Sequence, residues 1–299
     1  MAVLANVSEE LAAIVADRGG SVVRVEARHR APSSGVVWAA DGVVLTADHA
    51  VEREEDIQIG VASGEVVSAT LVGRDPTTDI AVLRAQAQRL VPAQWSDAGA
   101  AKVGHLVLAL ARPGKTVRAR LGIISALGDA WRAPAGGEFD RYLETDVAMA
   151  FGFSGGLLLD ATGNALGMNT AGLLRRTALA VPAATLRRVV EMLLAHGRVQ
   201  RGYLGIGAHP VRLPGALRDQ LGQRTGVIVI SVEPKSPAEQ AGIVLGDVLV
   251  AIAGAPVRHL DDVLSRLGPD SIGKPVVVKL VRGGEAKELS VSVSERTPG

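Results

Sequence analysis

The chain has 299 residues, room for about two domains, and its 47% apolar and 21% charged residues suit a soluble globular protein. Its 32 basic residues nearly balance 31 acidic ones, so charge gives no reason to expect nucleic-acid binding. Cysteine is absent, which excludes thiol nucleophiles, disulfides and cysteine-ligated zinc. The six histidines show no HExxH pair, and neither a metal nor another cofactor is expected. Aromatics are only 3%, so the cores must be built from Val, Leu, Ile and Ala.

The first residues, MAVLANVSEELAAIVADRGG, lack a basic start followed by an unbroken apolar run, so no export signal is expected from them. They read as an amphipathic helix with Leu11, Ile14 and Val15 on one face, capped at Asn6 or Ser8 and stopped by Gly19-Gly20. No segment has the ~18 to 20 apolar residues of a membrane span. From Ser21 to about Val181 short β-branched or apolar runs recur: 21–27, 35–38, 43–46, 80–83, 105–110 and 122–125. Many short strands bounded by turn residues predict a β-barrel or sandwich. After Pro182 the period changes, and Leu186, Val189, Val190, Leu193 and Leu194 form the stripe of a helix that Gly197 ends. Residues 197–201 are the expected linker between domains 1–196 and 202–296. The second domain mixes classes, with strands at 226–230 and 248–252, helices at 236–242 and 260–267, and a hairpin of 276–281 and 288–293 turning at Arg282-Gly283-Gly284.

Three stretches of the first domain carry candidate chemistry. Thr46-Ala47-Asp48-His49 ends an apolar strand in a histidine, Asp75-Pro76-Thr77-Thr78-Asp79 opens another with an aspartate, and Ala150-Phe151-Gly152-Phe153-Ser154-Gly155-Gly156 sets a serine among glycines. Each alone has a plain reading: a structural histidine, a strand-end acceptor, a glycine turn. Together they supply an alcohol, an imidazole to take its proton and a carboxylate to orient the imidazole, in the order His, Asp, Ser. GFSGG also fits the G-x-S-x-G elbow of an α/β-hydrolase, which needs a helix after the serine. Here an apolar strand, a D-A-T-G-N turn and a second strand follow instead.

With these residues in view, the chain resembles the HtrA (Deg) serine proteases. The resemblance runs through DGVVLTADHAV, ATLVGRDPTTDIAVLRA, GIISALG, ETDVAMAFGFSGGLLLDATGNALGMNTAG, ALAVPAATLRRVV, RGYLGIG and GVIVISVEPKSPAEQAGIVLGDVLVAIAG. It implies a mostly β fold, a chymotrypsin-like double β-barrel followed by an α+β PDZ domain. It further implies His49 as general base, Asp79 as its orienter, Ser154 as nucleophile, and the N–H groups of Gly152 and Ser154 as an oxyanion hole. A substrate strand would pair near Asn169, Thr170, Ala171 and Gly172. Tyr203, Leu204, Gly205 and Ile206 would grip a peptide carboxylate as the peptide adds as a strand, although Leu204 and Ile206 also suit a plain core.

The implied function is ATP-independent endoproteolysis of unfolded or damaged proteins, with PDZ capture of C-terminal peptides. The family commonly assembles as homotrimers through N-terminal aromatic contacts and usually works outside the cytoplasm. No aromatic precedes Trp38 here, so that trimer contact is missing or replaced. The chain departs from the family in three further ways: Phe153 stands where Asn usually precedes the serine, Ala111-Arg112-Pro113-Gly114-Lys115 replaces a Gly-Asn-Pro-Phe-Gly turn, and Gly172 stands where an aliphatic residue is common. Phe153 cannot hydrogen-bond its loop, so the loop is either held some other way or rests disordered. In the second case the chain is a PDZ binding or chaperone protein with weak or latent activity.

Overall fold

The computed structural model describes residues 2–29, 31–96 and 98–295. Met1 and Arg296, which bound the two expected domains, lie outside the described residues. Contacts divide the chain into units of residues 1–199 and 200–299.

The first unit opens with helix Ala2–Arg18 (α1), which begins ahead of the cap expected at Asn6 or Ser8. Six strands then close into a barrel: Val22–Glu26 (β1), Ser33–Val37 (β2), Val43–Thr46 (β3), Ile57–Gly60 (β4), Val66–Asp75 (β5) and Ile80–Ala85 (β6), in the order β1-β2-β3-β6-β5-β4. A second barrel follows, interrupted by the small hairpin Trp131–Arg132 (β9) and Glu138–Phe139 (β10). Its strands are Leu106–Ala111 (β7), Arg118–Gly128 (β8), Tyr142–Thr145 (β11), Leu157–Asp160 (β12), Ala165–Thr170 (β13) and Ala178–Pro182 (β14), ordered β11-β14-β13-β12-β7-β8. Helix Ala183–His196 (α2) ends where Gly197 turns left-handed at φ 71 and returns its N–H to Leu193 O.

The apolar runs of the sequence follow from burial on both strand faces. In β3, Val44 points into the first barrel while Val43 and Leu45 join the cluster that packs the barrels on α2. In β7, Val107, Ala109 and Ala111 fill the second barrel, while Leu108 and Leu110 join Leu157 and Leu159 of β12 on its outside. Leu11, Ile14 and Val15 of α1 pack on that outer cluster. Strand β5 was not expected from the pattern. Its faces do not alternate cleanly, and the register shifts between Leu71 and Gly73.

The second unit is a sheet of Ile206–Arg212 (β16), Thr225–Val232 (β17), Val248–Ile252 (β18), Pro275–Arg282 (β20) and Glu285–Ser292 (β21), in that spatial order, with Ala255–Pro256 (β19) paired to β18. Gly202–Tyr203 (β15) pairs with Ser294–Glu295 (β22). Helices Gly215–Leu221 (α3), Pro237–Gln240 (α4) and Leu260–Arg266 (α5) accompany the sheet. Ser236 caps α4 by accepting from the Glu239 N–H at 3.2 Å. The hairpin turns at Gly283 and Gly284, with φ 59 and 90, the pair of positive values that a two-residue turn matched to strand twist requires. No described helix is long and apolar enough to cross a membrane.

Candidate active site

His49 lies in a single 3-10 turn, Asp48–Ala50, just past the end of β3. Arg74 of β5 holds that turn, with Nε donating to Asp48 Oδ1 at 2.5 Å and Nη2 donating to the carbonyls of Asp48 and Val51 at 3.3 and 3.1 Å. Burial pushes the Asp48 carboxyl up, by more than the Arg74 hydrogen bond and charge pull it down.

Asp79 sits at the mouth of β6 with φ 57, a left-handed conformation that Asp tolerates better than most residues but that still stores strain. The preceding turn is organised by Asp75, whose carboxylate accepts from the Thr77 N–H, the Thr77 hydroxyl and the Thr78 hydroxyl at 3.2, 2.9 and 2.7 Å. The Asp79 carboxylate is thereby aimed at His49. Both its oxygens lie 2.9 Å from His49 Nδ1, and Oδ1 also accepts the His49 backbone N–H at 2.9 Å. Thr170, at the end of β13, donates its hydroxyl to Asp79 Oδ2 and accepts the Gly172 N–H at 2.9 Å. With the carboxylate on Nδ1, the proton belongs on that nitrogen, which leaves Nε2 free to act as a base. The Asp79 side chain is 5% exposed and that of His49 33%, a buried orienter behind an accessible imidazole.

Ser154 comes from the second barrel, in the loop before β12. Its segment holds a type II turn: Phe153 N–H donates to Ala150 O at 3.1 Å, and Gly152 occupies the third position with φ 85. A Cβ on Gly152 would also lie 2.5 Å from Pro113 Cβ. Gly155, φ 80, brings the serine against the first barrel, where an added Cβ would lie 2.2 Å from Ser34 O and 2.7 Å from Thr46 Oγ1. The N–H groups of Phe153, Gly155 and Gly156 go to Ala150, Asn169 and Phe153 carbonyls. Among the described residues those of Gly152 and Ser154 are spent on nothing, and Ser154 Oγ makes no hydrogen bond. Two unpaired donors this close in the chain suit a developing negative charge.

Ser34 and Arg112, to which sequence reasoning gave no role, hold this segment. Ser34 of β2, fully buried, donates its hydroxyl to Gly152 O at 2.7 Å and accepts the Arg112 N–H at 2.7 Å. Arg112 in turn donates to the carbonyls of Val22, Gly19 and Lys115 at 2.6, 2.8 and 2.9 Å. Its burial lowers the guanidinium pKa below the usual value. The signal was legible in part, since Ser33-Ser34 is a polar pair in a strand buried along its whole length. Phe153 is 2% exposed in the core of the second barrel. The segment is thus held by Ser34 and by burial of Phe153, so the reading in which Phe153 leaves it disordered is not favoured.

The proposed substrate strand divides. Asn169 is buried and serves the serine loop, with Nδ2 donating to Leu157 O at 2.9 Å and its carbonyl taking the Gly155 N–H at 2.9 Å. Thr170 is spent on Asp79. Ala171 and Gly172 are exposed. A Cβ on Gly172 would lie 2.6 Å from His49 Nδ1 and 2.8 Å from Asp79 Oδ2, so this position packs on the imidazole–carboxylate pair. Ala171 lines a cavity of about 430 Å³ with Ala148, Met149 and Arg176.

In the second unit, Leu204 is 2% exposed in the core and Ile206 packs half-buried against it. Tyr203 donates its hydroxyl to Glu233. The carbonyls of Leu204 and Gly205 accept from Ala238 and Glu233 at 2.9 and 2.8 Å, while their own N–H groups have no partner among the described residues. Strand β16 beyond them is an edge, paired only with β17. Unspent N–H groups beside an open strand edge suit an extended peptide ending in a carboxylate.

Comparison with known proteins gives both units a context. The trypsin-like peptidase domain matches residues 33–168, and the PDZ domain residues 202–293. A Synechocystis protein named as serine protease HhoB is 32% identical over 280 residues, 88% of this chain and 66% of its own length. A Chlamydia trachomatis protein named as a periplasmic serine endoprotease, DegP-like, is 32% identical over 278 residues, 91% of this chain and 56% of its own. The chain therefore spans between half and two thirds of these relatives. The solved structure of the HtrA-type protease AlgW with a decapeptide matches with a TM-score of 0.80 at 25% identity, over 96% of this chain and 99% of that one.

Proposed function

Because the chain belongs to the HtrA family, a trypsin-like peptidase domain followed by a PDZ domain, we propose that it is a serine endopeptidase that cleaves unfolded or damaged proteins without ATP. His49 Nε2 takes the Ser154 hydroxyl proton as Oγ attacks the scissile carbonyl. Asp79 keeps the other imidazole proton on Nδ1 and stabilises the imidazolium. The oxyanion draws on the N–H groups of Gly152 and Ser154. Collapse of the tetrahedral intermediate returns the proton from His49 to the leaving amine, and water repeats the sequence on the acyl-enzyme.

The observation that carries this reading is the pairing of a carboxylate-held imidazole with a serine segment whose only unspent N–H groups, over residues 152–156, are those of Gly152 and Ser154. The cavity beside Ala148, Met149 and Ala171 suits the side chain preceding the cleaved bond, and the exposed backbone of Ala171 and Gly172 suits pairing with the substrate strand. The loop from Tyr203 to Ile206 is proposed to capture C-terminal peptides through the N–H groups of Leu204 and Gly205. An extracytoplasmic location rests on likeness to relatives named periplasmic, and cell fractionation tests it. A homotrimer rests on family likeness alone, and sedimentation tests it.

The deciding experiment is hydrolysis of unfolded β-casein by wild type beside Ser154→Ala, with a fluorophosphonate probe on both. Cleavage and labelling by wild type alone are expected. A folded wild type that neither cleaves nor labels refutes the reading.

A further inference from the structure

Arg120, half-buried on β8, meets the serine segment from the second barrel. Its Nη1 donates to Ala148 O at 3.0 Å, and its guanidinium lies 5.2 Å from the centre of the Phe153 ring. Ala148 begins the segment, and its carbonyl also accepts the Ala150 N–H at 2.9 Å, just ahead of the turn that Phe153 closes onto Ala150 O at 3.1 Å. One side chain therefore touches both ends of the stretch 148–153, which includes Gly152 at φ 85. The Phe153 side chain is nearly buried while Arg120 is half-buried, so the cation covers the ring at the edge of the barrel core. Phe151, by contrast, is 61% exposed, with the Arg28 guanidinium 5.5 Å from its ring centre. Ser34 fixes Gly152 O from the first barrel. Arg120 supplies the matching hold from the second.

From this geometry we infer that Arg120 is a positioning residue. It pins the first carbonyl of the oxyanion segment and caps the buried phenylalanine that closes it, so that the Gly152 and Ser154 N–H groups converge on one point. The phenylalanine before the serine is then half of a pair, with the arginine as the other half. The inference rests on the protease reading above for its effect on rate, but not for its effect on the loop.

Arg120→Gln keeps a donor of shorter reach and loses the cation. It is expected to lower kcat about tenfold with KM within about twofold, and to weaken a peptide aldehyde, which binds as the tetrahedral adduct, by a similar factor. Arg120→Lys, which restores the cation, is expected to recover all but about threefold of the loss. In a Phe153→Leu background the Arg120→Gln effect should shrink by more than half, because the two residues then no longer act on each other. Hydrogen exchange supplies a reading independent of activity. Amides of residues 148–156 should exchange faster in Arg120→Gln by about fivefold or more, with β12 and the melting temperature unchanged.

Unaltered exchange in that segment overturns the inference, whatever the activity. So does a kcat loss without loss of aldehyde affinity, or one that Phe153→Leu leaves at full size. A wild type that fails to cleave β-casein refutes the protease reading instead, and the exchange comparison still decides for or against Arg120.

Discussion

Gly172→Ala puts a methyl group against the His49–Asp79 pair. Its Cβ would lie 2.6 Å from His49 Nδ1, 2.8 Å from Asp79 Oδ2 and 3.1 Å from Asp79 Cγ. Non-bonded carbon contacts settle near about 3.5 Å, so roughly 1 Å of movement is needed. The Gly172 N–H is tied to Thr170, Thr170 to Asp79, and Asp79 to the backbone N–H and Nδ1 of His49. Movement of the loop is therefore transmitted to the base. A misplacement of about 1 Å at a reacting group costs on the order of 10²-fold in rate, or about 2.7 kcal/mol of barrier. The fall belongs in kcat, because the methyl group faces the pair rather than the cavity beside Ala171. The assay is Ser154-dependent hydrolysis of a fluorogenic peptide, with kcat normalised to titrated serine and folding checked by thermal melting. A folded Gly172→Ala enzyme with kcat within threefold of wild type would show that the loop moves aside on its own, and the argument from close packing would fail.

Thr170→Val removes one donor from the Asp79 carboxylate and leaves the Gly172 N–H unpaired. Loss of about tenfold in kcat is expected, with Thr170→Ser restoring most of it. Ser34→Ala strips partners from Gly152 O and the Arg112 N–H inside the protein, and urea unfolding should show a loss of about 1–3 kcal/mol along with a fall in kcat. In the second unit, burial raises the Asp247 carboxyl, but two hydrogen bonds from Arg282, one from the Val244 N–H and nearby positive charge outweigh it and hold the carboxyl below its ordinary 3.8. A lowered carboxyl pKa stabilises the fold above about pH 4 and loses that contribution as pH falls through the folded value. Melting between pH 5 and 2 should therefore show a steeper acid decline for wild type than for Asp247→Asn. Parallel profiles for the two proteins would remove Asp247 from that role.

The sequence made some parts of this structure readable and hid others for physical reasons. Helix α2 was plain because its stripe has one period and a glycine ends it. The final hairpin was plain because Arg282-Gly283-Gly284 separates an apolar run from an alternating one. His49, Asp79 and Ser154 could be named because each lies in a short turn beside an apolar strand and their order has chemical meaning. Strand β5 was hidden, since a register shift near Gly73 breaks its alternation. Ser34 could be seen as out of place in an apolar strand, but its partner is Gly152, 118 residues away. The packing of Gly172 on the His49–Asp79 pair and the target of Arg120 were hidden for the same reason. A glycine's neighbours and an arginine's target are set by the closing of the barrels, and no local pattern records them. Phe153 was legible as a departure, yet its meaning depends on the barrel core that buries it and on the arginine beside it.

The burial of β3, β7 and β12 on both faces bears on how such an enzyme can diverge. Val43, Val44 and Leu45, or Leu157, Leu158 and Leu159, have no side turned to water, so nearly every change there disturbs one packed cluster or another. Adaptive change near the cleft is left to stretches that carry little packing, such as Lys115-Thr116 and Arg175-Arg176, which are exposed. Lineages descended from a common ancestor of this chain would then differ in appetite at those rims while keeping their strands nearly unaltered. A library randomised at the rims should yield many folded variants with shifted cleavage preferences, and one randomised in β12 should yield few that fold.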